Sequence, residues 1–413
     1  MRSRLGAVAR TRRAEALAFA RPRLFVAALL LIGAAAAVWP AATLAAALLV
    51  LVTVLAFREP AYGFVLVLVL FGFEGTLKEA FAAQDSFVLS ATAAGALVLD
   101  VALLIAVVGL VVKDRGRSFV ALWRNAGRAG RAGIALLVAW LAISVPQTLQ
   151  GGDLAQGVVG FRLTQAYIAA AFAGAMLFAP LSRDARSRLT TMLLVGVGIV
   201  AAYAALRTLV GPSDFERDFA LSRPGVTVYG DVFRAVGSFS GAVGLASYLV
   251  PTAVFAATLG VFSRRLRLLA GLVAVCALVG IVGTYARVGL VALAVGVVFG
   301  AALGLGARRP SRRQTLVVGG SVAAVLVLLA AATYGASRVS PVVETRANAF
   351  VDPLHDESLR IRVNTWEESL RAVGERPLGS GLGSVGRASD LGGEPAVTTD
   401  NSFLKVLREQ GVF

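Results

Sequence analysis

Apolar blocks of roughly 15–25 residues, separated by short arginine-rich stretches, constrain this chain more than any other feature. Such a block has the length a helix needs to cross about 30 Å of hydrocarbon at about 1.5 Å per residue. Inside hydrocarbon the backbone N–H and C=O groups find no water, so a spanning segment satisfies them internally as a helix or a closed barrel. The blocks lack the alternation of barrel strands and therefore read as helices. Eleven are laid out, at 24–39, 41–57, 61–73, 88–112, 133–147, 161–180, 190–209, 241–262, 268–284, 288–305 and 315–333. A twelfth apolar start begins at Phe403 and reaches the end at Phe413, too short to span, so it reads as the start of a further membrane helix in a truncated chain. The expected fold is all-α, a polytopic transmembrane helix bundle.

Composition agrees, with 57% hydrophobic and 15% charged residues, where soluble domains hold about 45–50% and about 25%. The net charge of +16 does not signal nucleic acid, because the arginines sit at block ends and no basic groove interleaves with aromatics. Single copies of cysteine (Cys276) and histidine (His355) supply neither a disulfide framework nor a metal centre. The first block lacks a cleavage site at a polar boundary and is read as a retained helix.

Positive charge orients the bundle. Residues 1–23 form a basic N-terminal segment holding seven arginines against Glu15 alone. The stretches 113–132, 181–189, 263–267 and 306–314 are also basic, and all fall on one side of an alternating topology. The positive-inside rule then puts the N-terminus in the cytoplasm and makes the chain a multi-pass membrane protein, residues 24–333 forming the bundle.

The stretch 334–402 differs. Its ten acidic and seven basic side chains are balanced, and it reads as one long structured extracytoplasmic loop. From Ser358, the positions Leu359, Val363, Trp366, Leu370 and Val373 recur at helical spacing and predict an amphipathic helix. Asp356 or Ser358 can cap its start, and Gly374 and Pro377 end it. A glycine-rich stretch follows at 379–386, and Asp400-Asn401-Ser402 offers a second cap. The glycine-rich stretch follows no βαβ pattern and is not read as a nucleotide loop.

Four groups carry candidate chemistry. Arg287 lies between two apolar blocks on the side where positive charge is otherwise avoided, and a charge at such depth is usually functional or paired. Arg234 precedes the block at 241–262. Arg360, Arg362 and Arg371 lie on the amphipathic helix, Arg360 and Arg371 sharing a face and Arg362 pointing elsewhere. Guanidinium forks match phosphate oxygens, so together these arginines suggest an anion site, with diphosphate a natural target. Asp400 is either a helix cap or a general base on an acceptor hydroxyl. His355 is a loop histidine beside Asp352 and Asp356.

Four stretches, in this order, resemble the O-antigen ligase and polymerase superfamily of bacterial surface-polysaccharide enzymes. Arg234 with Gly237-Ser238-Phe239 is similar to the family's Arg-x-x-Gly-Thr-Phe. Tyr285-Ala286-Arg287-Val288-Gly289 resembles its Ser-Arg-Gly helix start. Trp366 to Leu370, then Pro377-Leu378-Gly379-Ser380-Gly381, resembles the run in its long outer loop. Asp400-Asn401-Ser402-Phe403-Leu404 with Glu409-Gln410-Gly411 resembles its His-Asn-x-x-Leu…Glu-x-Gly signature, with aspartate where ligases have histidine.

The resemblance implies a GT-C-like membrane glycosyltransferase that uses neither metal nor cofactor. Its donor would be an undecaprenyl-diphosphate-linked glycan and its acceptor a glycan or lipid hydroxyl at the outer face of the bilayer. It assigns Arg234 and Arg287 to the diphosphate, gives Arg360 or Arg362 an assisting role, and puts Asp400 in the place of the base. A polysaccharide or lipid-carrier flippase without transferase activity is the alternative, against which stand the absence of a sequence repeat and the structured loop.

Overall fold

The structure is a computed structural model, and it describes residues 41–82, 91–114, 117–150, 154–178, 180–221, 228–229, 232–239, 241–306, 319–320, 357–386, 389 and 401–411. The basic N-terminal segment, the block at 24–39, the block at 315–333 apart from residues 319–320, His355 and Asp400 lie outside the described residues. What is described is helical, apart from a two-residue antiparallel pair, Val228–Tyr229 with Val232–Phe233.

The chain divides into two compact units. The first comprises residues 1–113 and 182–332. Its helices are α1 (Ala41–Arg58), α2 (Pro60–Phe71), α3 (Glu74–Ala82), α4 (Ala91–Asp114, whose last residue falls in the second unit), α5 (Arg183–Val210), α6 (Asp214–Leu221), α7 (Ala242–Phe262), α8 (Arg267–Gly283) and α9 (Arg287–Gly306). The second comprises residues 114–181 and 333–413. It holds α10 (Arg117–Asn125), α11 (Arg128–Gln147), α12 (Leu154–Phe161), a π-helical turn (Arg162–Ala166), α13 (Tyr167–Phe178), α14 (Glu357–Glu375) and α15 (Ser402–Gln410).

Among the described residues, three helices are long and apolar enough to cross a membrane: α11, α5 and α7. Stretches of α1, α2, α13, α8 and α9 are apolar but shorter. The short helices α3, α10 and α6 stand in stretches that read as loops in the sequence, because each is only eight or nine residues long and carries no full period of apolar positions.

The core of the first unit is built from α5, α7, α8 and α9 around Leu194, Val200, Leu245, Leu249, Ile281 and Leu293. Alanines at 201, 204, 253, 256, 270 and 277 fill the remaining buried positions. Small side chains let membrane helices approach until their backbones nearly touch, which is the main attraction open to helices already surrounded by apolar lipid. On the opposite face of α8, Leu268, Leu272 and Val275 are 90%, 62% and 59% exposed, the pattern of a helix face that meets lipid rather than water.

Candidate functional site

In the first unit, the close approach of α5 and α8 fixes a polar corner. A Cβ on Gly283 would lie 2.3 Å from Thr208 Oγ1, so glycine at the end of α8 is what admits α5 there. Thr284 then closes α8: its Oγ1 donates to Ile281 O at 2.6 Å and accepts from Ala286 N at 3.2 Å. Tyr285 follows with φ 49, a left-handed conformation that costs a bulky residue energy and marks sites held for a purpose. Two residues later Arg287 opens α9.

Arg234 meets this junction. Its Nε donates to Thr284 O at 2.8 Å, and the next amide, Ala235 N, donates to Gly283 O at 2.8 Å. Gly237 turns the chain with φ 52, which explains why the Arg-x-x-Gly spacing needs glycine at its fourth position. The turn is anchored in its own unit, since Gly75 N donates to Ser238 O at 2.8 Å and Ser238 Oγ donates to Gly72 O.

A cavity of about 180 Å³ opens at the corner, lined by Arg207, Thr208, Gly211, Glu216, Arg234 and Tyr285, with neighbouring backbone. At roughly 30 Å³ per water this is about six water volumes, well below the roughly 300 Å³ at which pockets for drug-sized ligands begin. The space is the size of a compact head group. Arg207 was hidden in the sequence, three residues before the end of a helix otherwise read as an apolar block. Its charge within such a block was the available signal.

The second unit contains the amphipathic helix, α14, with its buried face turned from the expected one. Ser369 and Val373 are buried, whereas Leu370 is 54% and Val363 38% exposed. Arg360 and Arg371 are exposed and Arg362 is half-buried, so the predicted split between these arginines holds. The cap of α15 is Asn401, whose Oδ1 accepts from Phe403 N and Leu404 N at 2.9 and 3.3 Å. Capping therefore belongs to the residue after Asp400. α15 is closed at its other end by Gly411 with φ 86.

The glycine-rich stretch has its amides committed within the protein. Ser380 N and Gly381 N donate to the terminal carbonyls of α15, Arg408 O and Glu409 O, each at 2.9 Å. Leu382 N donates to Gln147 O at 3.1 Å, and Gly383 N to Glu409 Oε1 at 3.1 Å. These amides satisfy helix-end carbonyls and a carboxylate that would otherwise be orphaned, and are not presented to a phosphate.

Glu409 is fully buried, with Lys405 Nζ 3.9 Å from its Oε1. α15 is not among the described helices long and apolar enough to cross a membrane, and burial pushes the Glu409 carboxyl up to about 7, while Lys405 and the Gly383 and Val385 amides pull it down. The folded state then binds the proton more tightly than the unfolded chain. Stability of the second unit is full below the unfolded value of 4.5 and falls as pH rises to about 7. Thermal unfolding measured across that range should show the decline, and Glu409→Gln should flatten it; an unchanged slope in the variant would contradict this account.

A family model described as O-antigen ligase matches residues 272–413. The match supports assignment to the O-antigen ligase/polymerase superfamily and with it a ligase- or polymerase-type function in a membrane setting. The matched residues run from within α8 through Arg287, α14 and α15, and include residues of both compact units. No curated protein and no solved structure matches the chain.

Proposed function

We propose that the protein is a membrane glycosyltransferase that moves a glycan from an undecaprenyl-diphosphate carrier to an acceptor hydroxyl at the outer face of the bacterial cytoplasmic membrane. The single observation that carries this reading is the Arg234–Thr284 bond at the cavity. It seats one guanidinium against the junction that leads into Arg287, inside a space sized for a diphosphate. The matched family supplies the reaction class.

In the reaction, the acceptor oxygen attacks the anomeric carbon while the bond from that carbon to the carrier phosphate breaks. Negative charge grows on the departing diphosphate. Arg234 and Arg287 stabilise it there, where fixed cations act more strongly than in water. Arg360 or Arg362 assists from the loop, and Asp400 takes the acceptor's proton as general base. The bundle that houses this chemistry is the GT-C-like one of eleven spans with its N-terminus inside.

The test is a cell-envelope assay of glycan attachment and chain length with Arg287→Ala and Asp400→Ala. Both variants should lose attached or extended glycan and accumulate lipid-linked precursor on the outer leaflet. Unchanged glycans in both variants end the transferase reading. Precursor held on the cytoplasmic leaflet upon deletion would instead establish the flippase.

A further inference from the structure

The cavity beside Arg234 holds a second guanidinium whose surroundings are unusually complete. Glu216 on α6 is 3% exposed, and its carboxylate meets three hydrogen-bond donors and one cation. Tyr203 Oη donates to Oε1 at 2.7 Å, and Ser213 N and Oγ donate to Oε2 at 2.7 and 2.8 Å. Arg207 Nε lies 3.0 Å from the same Oε2 as an ion pair, off the line of a hydrogen bond. The Arg207 guanidinium also sits 5.1 Å from the centre of the Tyr203 ring, where the π face attracts a cation. Arg207 is thus fixed by one buried acid and one aromatic face, yet its side chain keeps 23% of its exposure and lines the cavity together with Arg234.

Charge and size then narrow the ligand. Two guanidiniums and one carboxylate line the space, and the carboxylate is already occupied by its donors. A guanidinium presents five N–H donors in a rigid fork. With Nε turned to Glu216 and Tyr203 also against the guanidinium, the part of Arg207 that lines the cavity is what is left for an anion. We propose that Arg207 is a further anion-binding residue of this cavity, that Glu216 is its positioning residue, and that Arg207 and Arg234 hold a diphosphate between them. The proposal rests on the donor reading given above, and it adds a residue outside the matched stretch 272–413.

The test uses the full chain in phosphatidylcholine nanodiscs, with inorganic diphosphate as the binding probe, alongside transfer assays on lipid-linked glycan. Wild type should bind inorganic diphosphate more tightly than orthophosphate. Arg207→Met should weaken diphosphate binding about tenfold and raise KM for the donor more than it lowers kcat. Arg207→Lys, which keeps the charge but loses the fork, should recover part of the loss. Glu216→Gln, which keeps the shape, should move binding and KM in the same direction as Arg207→Met by a smaller factor. A purely structural role would lower thermal stability in these variants without moving the KM-to-kcat split.

Equal binding of orthophosphate and diphosphate by wild type overturns the two-arginine site. So does an Arg207→Lys or Arg207→Met protein that folds and keeps wild-type KM and diphosphate binding while Arg234→Ala loses transfer; in that case the donor reading stands and this inference alone falls. Full transfer in Arg234→Ala removes the donor reading itself.

Discussion

Alanine in place of Arg234 is expected to lower glycan transfer by about 10²-fold or more, with the protein still folded in the membrane. Removal of one preorganised donor from a site where negative charge develops typically costs that much. Arg234 acts twice in the structure. Its Nε holds the carbonyl of Thr284, and its side chain lines the cavity. Lysine should therefore rescue poorly, since an ammonium carries the charge but lacks the planar fork that serves a carbonyl and an anion at once. The control is Arg376→Ala at an exposed position just past α14, which should retain near wild-type transfer. Initial rates on lipid-linked glycan decide the matter, and a wild-type rate in Arg234→Ala contradicts the assignment.

Gly383→Ala is expected to cost the second unit about 3 kcal/mol or more. The residue takes φ +85, and an added Cβ would lie 2.2 Å from Gln156 O, a backbone atom that cannot rotate aside. The same segment carries the Gly383 N–Glu409 bond and accepts Gln156 Nε2 on Gly383 O at 3.0 Å. Displacing it frees the α15 carbonyls and the Glu409 carboxylate together. Gly374 makes the contrast, because a Cβ there meets nothing within 4 Å and its φ is not left-handed. Gly374→Ala should be neutral or slightly stabilising. Thermal melts of the two variants, with hydrogen exchange over 379–386 and 401–411, read out the difference; equal melting of Gly383→Ala and wild type would refute the strain argument.

The sequence disclosed the elements whose physics is one-dimensional. Apolar runs marked α1, α2, α4, α5, α7, α8 and α9 to within a few residues at most ends, because a long continuous apolar run reads directly as a helix. α14 was legible from its periodicity, but its buried face was not. Leu370 suggested one stripe, while packing buries Ser369, whose hydroxyl bonds back to Thr365 O at 2.7 Å and so needs no external partner. Asn401 and Asp400 are equivalent caps by composition, and only geometry separates them.

The polar corner was half legible. Arg234 and Arg287 stood out as charges outside basic loops. Arg207 did not, since an arginine near a block end looks like any other flanking cation. Its role depends on Glu216, nine residues on in a separate helix, and on the glycine at 283 that brings α8 against Thr208. Glu409 was visible as one letter of a signature, with no hint that Gly383 and Val385 amides converge on it. Contacts of this kind arise from helix packing, which hydropathy and spacing do not encode.

The central claim is that this chain breaks the bond between a glycan and a diphosphate carrier lipid at an arginine-lined site. The most direct measurement is release of undecaprenyl diphosphate from lipid-linked glycan by the purified full chain in nanodiscs, supplied with cell-envelope acceptor. Wild type is expected to release the carrier in step with glycan attachment, and Arg287→Ala to release none. Folded wild-type protein that leaves the carrier lipid intact, or an Arg287→Ala protein that releases it at the wild-type rate, contradicts it.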